Sequence, residues 1–177
     1  VDGPFLPIYV EDKNGVPIVN KTQDIHLKGE EYLTFEVQPF LRVELDDTPM
    51  SSDGVITARV KIDRGVSKDD FKKVVAQTGD YSDSYLNMTD IQLFVSYSSS
   101  CGYRARDERW SNEILYSGKA FETQFGKTIT ITSNPKNPIP SGRKVFIRAA
   151  ARINYDTPAG SGTRRWNYSE VVEVDIP

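Results

Sequence analysis

The sequence predicts an all-β chain, an antiparallel β-sandwich that carries one short helical insert. Every second residue is apolar through 145–153, and the same period of two recurs over 172–176. Such alternation places one set of side chains on a core face and the other toward solvent, as a half-buried antiparallel strand requires. We therefore expect these segments to form the last hairpin of the sandwich. The set expected to face solvent is Phe146, Arg148, Ala150, Arg152 and Asn154.

Further alternating segments follow Phe40 at the spacing of a sandwich of about seven strands. They lie at 41–45, 55–62, 91–97, 114–116, 120–125 and 128–132, with a polar turn at 51–54.

One segment between the second and third of these strands has a helical pattern. Ser67 is a good N-cap, and Asp70 stands three residues later, where a capping box has its acid. Apolar residues then share one face at i, i+3 and i+4. We predict a short helix over 68–77, ended by Gly79.

Residues 1–39 are expected to belong to a different unit from 40–177. Asn14-Gly15 is a hairpin-type turn between two short β-like pieces, and 33–37 alternates as a strand. Three short strands cannot build a stable sheet domain alone. They either pack on the rest of the chain or end a domain whose first half lies upstream. Because the chain begins with Val1 rather than Met, we expect a processed protein or a fragment.

Composition excludes several classes of protein. The 177 residues are 38% hydrophobic and 11% aromatic, which rules out a disordered polymer, and no apolar run is long enough for a membrane helix. The net charge of -3 argues against a nucleic-acid surface. The single cysteine, Cys101, cannot form an internal disulfide, and with the single histidine, His26, it makes no metal set.

The sequence specifies no catalytic set. His26 would have to serve as the base of a nucleophilic triad, and we expect an ordinary strand histidine instead. A glycoside hydrolase needs two facing carboxylates, and 25 acidic residues specify no pair. Asp80, Asp83 and Asp90 lack the spacing of a calcium loop, so we predict solvated loop acids. The basic clusters are likewise expected to be solvated loop charges: Arg104, Arg106, Arg109, Arg164 and Arg165.

Several segments resemble, in order, one family of proteins. They are 3–7 (GPFLP), 34–43 (TFEVQPFLRV), 91–96 (IQLFVS), 147–149 (IRA) and 166–172 (WNYSEVV). The chain resembles an uncharacterised family of Bacteroidetes surface lipoproteins, which are often encoded beside outer-membrane glycan importers of the SusC/SusD type.

This resemblance implies an organisation and a setting. Residues 1–39 would end a transthyretin-like or carboxypeptidase-regulatory-like domain, and 40–177 would form a sandwich of the immunoglobulin or fibronectin type III kind. The protein would lie at the cell surface or in the periplasm of a Gram-negative bacterium, held by a lipid anchor upstream of this chain. The family implies no cofactor and no catalytic residue.

A candidate ligand site follows from the topology of such a sandwich. The loop between the second and third strands and the loop between the sixth and seventh lie at the same end, and long loops on a rigid scaffold commonly bind ligands. Here they bring together Tyr81, Tyr85, Tyr155, Arg164 and Trp166. Aromatic faces suit the apolar faces of sugars. The alternative is that these aromatics close the core or pack on a neighbouring domain. Tyr103 and Trp110 are expected at the opposite end.

The leading hypothesis is a non-catalytic module of a glycan-uptake system that binds carbohydrate or docks onto partner proteins such as SusC/SusD-type proteins. The alternatives are a purely structural spacer and an accessory domain of a glycoside hydrolase.

Overall fold

The computed structural model describes residues 9–11, 17–19, 38–76, 79–156 and 166–177. It is an all-β structure with one short α-helix, as predicted. The strands are β1 (Tyr9–Glu11), β2 (Pro17–Val19), β3 (Leu41–Leu45), β4 (Met50–Ser52), β5 (Val55–Arg64), β6 (Met88–Ser96), β7 (Asn112–Leu115), β8 (Thr128–Thr132), β9 (Arg143–Ile153), β10 (Asn167–Tyr168) and β11 (Val172–Ile176). The helix α1 (Lys68–Val75) and a 3₁₀ turn (Asp83–Leu86) lie between β5 and β6.

Two antiparallel layers form the sandwich. In the first, β5 is central: β3 and β4 pair with successive parts of it, and β8 pairs on its other side. The second layer has the order β10-β9-β6-β7, with β11 continuing beside β9. The expected last hairpin is therefore confirmed by the pairing of β9 with β11. The fold class, an immunoglobulin or fibronectin type III-like sandwich, is confirmed as well.

The core lies between the two layers, where the alternating residues of the central strands meet. Ile56, Ala58, Val60 and Ile62 of β5 are fully buried, and so are the inward residues Val145, Ile147, Ala149 and Ala151 of β9. Each fully buried aliphatic side chain contributes about 1.5–3 kcal/mol relative to an exposed one. These two strands therefore supply the centre of the hydrophobic core.

Helix α1 begins where the sequence predicts. The Ser67 side chain accepts a hydrogen bond of 3.1 Å from the Asp70 backbone N–H, which satisfies one of the free donors of the first turn. Phe71 is fully buried, so the apolar face of the helix closes one end of the core. The helix ends at Val75, two residues earlier than predicted.

The predicted strand at 120–125 is wrong. This segment forms successive turns in which the N–H groups of Glu122 and Gln124 bond to the carbonyls three residues earlier, Lys119 and Phe121. Phe121 is fully buried and plugs the core instead of alternating along a ladder. Two strands that the alternation did not predict, β4 and β10, are only three and two residues long.

Two short strands of the N-terminal segment lie within the described residues. β1 and β2 form an antiparallel pair in the register Tyr9↔Val19, as the Asn14-Gly15 turn predicts. The turn itself and the predicted strand at 33–37 lie outside the described residues, and so does His26. In the described part of the chain, no helix is long and apolar enough to cross a membrane.

Candidate functional site

Three of the predicted site residues, Tyr81, Tyr85 and Tyr155, lie together at one end of the sandwich, and we call this end the pole. Tyr155, which follows β9, packs on Phe71 of α1 with ring centroids 5.2 Å apart and on Tyr85 at 5.3 Å. Tyr81 continues the cluster at 6.3 Å from Tyr85. All three tyrosines are half-buried against the main core. They close the core at the pole, which is the alternative that the sequence left open.

A small cavity of about 330 Å³ lies at the pole beside Tyr81. The Glu122 carboxylate bonds there to both Lys68 and Arg64, and the Lys68 hydrogen bond, with the nearby Arg64 cation, holds the pKa of Glu122 below its usual range. Burial, and a hydrogen bond that the Tyr81 hydroxyl donates to Asp83, raise the pKa of Tyr81. The ligand role of the three tyrosines stays a prediction, and Arg164 lies outside the described residues.

Trp166 does not join the tyrosines of the pole. It packs on the outer face of the second layer, where it is only 8% exposed and belongs to a second apolar cluster with Phe94, Cys101 and Ala150. Ala150 is fully buried, so the prediction that its face of β9 is open to solvent is wrong at this position. A second layer of side chains covers the sheet there.

The loop 97–111 supplies that cover. It folds back over the outer face of β6, where Cys101 is buried and its thiol lies 3.5 Å from the Phe94 carbonyl oxygen. Tyr103 then stacks on Trp166 with ring centroids 4.5 Å apart and an interplanar angle of 27°. The prediction that Tyr103 falls at the opposite end from Trp166 is therefore wrong. The loop is long enough to carry it back along the sheet.

Trp110 lies apart from this stack. It is buried at the far end of the main core, where its ring contacts Tyr97 and its carbonyl accepts a hydrogen bond from the Asn134 N–H.

Asp90 anchors the stack from below. This residue of β6 is 1% exposed and accepts hydrogen bonds from the Trp166 indole N–H at 3.1 Å, from the Gln92 amide at 3.0 Å, from the Thr89 hydroxyl and from Arg152. The prediction that Asp90 is a solvated loop acid is wrong, because it sits within a strand. A buried carboxylate persists only when such donors replace its water.

Arg152 also covers the indole. Its guanidinium carbon lies 4.1 Å from the ring centroid of Trp166 while its Nε bonds to Asp90. With Tyr103 and Arg152 both over the ring, the indole has no open face for a ligand. Trp166 is therefore a support. Tyr103 also has Trp166 and the Arg106 guanidinium against its ring, but it is 45% exposed, so it is the aromatic side chain of this stack that a ligand can reach.

A groove of about 500 Å³ opens beside Tyr103 on this outer face. Its polar lining comes from neighbouring strands: Gln92 on β6 donates to Glu113 on β7 at 2.8 Å. The loop contributes Arg106, whose guanidinium lies 4.3 Å from the Tyr103 ring centroid and pairs with Glu108 at 2.8 Å. Arg106 is thus packed against the groove, and its prediction as a solvated loop charge is wrong.

Two carboxylates in the described part of the chain have lowered pKa values. A hydrogen bond and ion pair with Arg109 lower the pKa of Asp107, as the Lys68 and Arg64 contacts lower that of Glu122, whereas a general acid needs a raised value. Burial raises the pKa of the Cys101 thiol to about 12, so it is not a thiolate nucleophile. Among the described residues no group of three His, Cys, Asp or Glu side chains could hold a metal ion.

The fold and the groove define a β-sandwich protein with a preformed surface groove that has an aromatic wall and a polar rim. The chain belongs to the DUF3823 family. It is 55% identical to a DUF3823 family protein from Bacteroides uniformis. The match to the crystal structure of that protein covers 98% of this chain and 71% of the other chain, with a TM-score of 0.87.

Two further solved structures share the fold at low identity. A DUF3823 family protein from Parabacteroides merdae is 14% identical with a TM-score of 0.55, over 85% of this chain and 60% of that one. A Bacteroides uniformis protein described as a candidate carbohydrate binding protein is 17% identical with a TM-score of 0.53, over 80% of this chain and 60% of that one. No protein-family model and no curated protein matches the chain.

Proposed function

We propose that this chain is a non-catalytic binding module that holds carbohydrate in the groove beside Tyr103. The observation that carries the proposal is the stack of an exposed Tyr103 on a buried Trp166, which Asp90 fixes from within the sheet. A sugar can pack against a rigid, exposed aromatic side chain with hydrogen-bonding groups around it, and such sites are largely formed before the ligand arrives. Gln92 and Glu113 supply polar groups beside Tyr103.

The free-energy cost of burying the Asp90 carboxylate, which holds Trp166 in place, favours a role in binding. Burying the charge of Asp90 is expensive, and an apolar pair of similar volume often serves stability as well or better. Here the buried charge positions three side chains of the groove at once: Trp166, Gln92 and Arg152. A pre-ordered site loses less conformational entropy when it binds.

The wider role that we propose is service to a glycan-uptake system at the cell surface or in the periplasm. It rests on the family resemblance, which associates such lipoproteins with SusC/SusD-type importers and with a lipid anchor upstream. Partner docking and a purely structural spacer are the competing roles.

A glycan array followed by calorimetric titration of the intact chain tests the proposal. We expect binding to at least one plant or host oligosaccharide, and a loss of about tenfold or more in affinity for Tyr103→Ala, as for a central aromatic contact. Tyr97→Ala is the matched control, because Tyr97 is 50% exposed but packs on Trp110, away from the groove. Silence across the array, or equal losses in the two variants, would contradict the proposal.

A further inference from the structure

We infer, building on the function proposed above, that the groove selects an uncharged, hydroxyl-rich sugar unit over a uronic or sulfated one. Among the described residues, each positive charge that lines it is paired with an acid of the protein. Arg152 is paired with the buried Asp90, and Arg106 is paired with Glu108 and also donates to the Tyr103 carbonyl. An anionic ligand would have to share one of these cations with the acid that already pairs with it.

Three side chains along the rim also donate hydrogen bonds within the protein. The Gln92 amide nitrogen donates to both Asp90 and Glu113. The Asn112 amide donates to the Thr132 carbonyl at 3.1 Å. The Ser111 hydroxyl donates to the Asp107 carbonyl oxygen at 2.8 Å.

The rim also presents exposed acceptors. The Glu113 carboxylate is exposed, and the Glu108 side chain is 79% exposed at the mouth. A sugar hydroxyl can donate to such oxygens, whereas a carboxylate or sulfate is acceptor-only and meets like charge. Among the described residues, with Asp90 beneath, three carboxylates face two arginines, and this excess of negative charge disfavours an anionic ligand.

Calorimetry with matched oligosaccharides tests this selectivity. Each neutral oligosaccharide is paired with its counterpart oxidised at C6, and an oligogalacturonide is paired with its methyl ester. We expect the neutral member to bind about fivefold or more tightly, from one like-charge contact near the surface. Glu113→Gln keeps the shape of the rim and removes a negative charge. It should therefore raise the affinity for the anionic member and reduce the ratio of affinities between the neutral and anionic members. Glu44→Gln, on the exposed side of β3, should leave it unchanged.

The outcomes separate the two proposals. Tighter binding of the anionic member, or a discrimination that Glu113→Gln leaves intact, would overturn the selectivity while carbohydrate binding stands. Absence of binding to both members of every pair would overturn the proposed function itself, and the selectivity with it.

Discussion

The indole N–H of Trp166 donates to the carboxylate of Asp90 at 3.1 Å, although the two residues are 76 positions apart. This bond joins the start of β10 to a strand two places away in the same sheet, across β9. It fixes the ring on which Tyr103 stacks, and therefore the wall of the groove. The stability of the sheet and the shape of the groove thus depend on one buried carboxylate.

Replacing Asp90 should destabilise the protein. In Asp90→Asn, one carboxylate oxygen becomes an NH₂ group that faces donors, and Arg152 loses its counter-charge. We expect the free energy of unfolding in urea to fall by about 2–4 kcal/mol. Asp175→Asn is the control, because that side chain is 82% exposed and 3.9 Å from Lys144, and it should change stability by about 0.5 kcal/mol or less. Equal effects of the two substitutions would contradict the anchoring role.

The turn between β4 and β5 should not tolerate a side chain at Gly54. Asp53 and Gly54 have φ values of 50° and 75°, the two positive angles of a type I′ hairpin turn. A Cβ on Gly54 would lie 2.4 Å from the Ile139 carbonyl oxygen. We expect Gly54→Ala to cost about 2 kcal/mol or more, from strain and clash together.

A second substitution, Gly142→Ala, separates the effect of backbone strain from that of steric clash. Its φ is 70°, but nothing lies within 4 Å of the added Cβ, so only the backbone strain of about 1 kcal/mol should remain. Thermal or urea unfolding of the pair measures the difference. Equal losses would show that Ile139 moves away at no cost.

Cys101 should be unreactive in the folded protein. Burial raises the pKa of its thiol to about 12, and only the thiolate attacks disulfide reagents. At pH 8 we expect negligible labelling of the native chain and complete labelling in urea, followed by the absorbance of the released thiol. Prompt stoichiometric labelling without urea would mean that the loop 97–111 does not cover the sheet in solution.

Acid should weaken the ion pairs that Glu122 forms with Lys68 and Arg64 at the pole. The hydrogen bond from Lys68, with Arg64, lowers the folded-state pKa of Glu122, so its stabilisation is complete above the unfolded value of about 4.3. That stabilisation is lost as pH falls through the lowered pKa. The urea midpoint of Glu122→Gln should therefore converge on that of the native chain between about pH 5 and 3. A difference between the two urea midpoints that stays constant over this range would contradict the assignment of that difference to the titration of Glu122.

The alternation of the chain predicted the sandwich because burial between two layers imposes a period of two. It predicted β5, β6 and β9 and the faces of β5, and the cap of α1 followed from the local chemistry of Ser67. The strand prediction at 120–125 failed because successive turns bury Phe121, and turns have no regular hydrophobic period.

The groove was missed because it depends on the path of a loop. Residue propensities and the hydrophobic period do not specify the path of the loop 97–111. The sequence therefore predicts Tyr103 at the wrong end of the sandwich. A signal was nevertheless present. Ile91, Leu93 and Val95 face the core, so Phe94 falls in the outward register, and Ala150 does the same on β9. Large or apolar outward residues on adjacent strands indicate a second covering layer.

A titration of ¹⁵N-labelled protein with the tightest neutral oligosaccharide tests the central claim most directly, because it locates the bound sugar. We predict that the largest shifts fall on the Trp166 indole N–H, the Gln92 side-chain amide and the backbone around Tyr103. Shifts confined to Tyr81, Tyr85 and Tyr155 would place the ligand at the pole and contradict the groove.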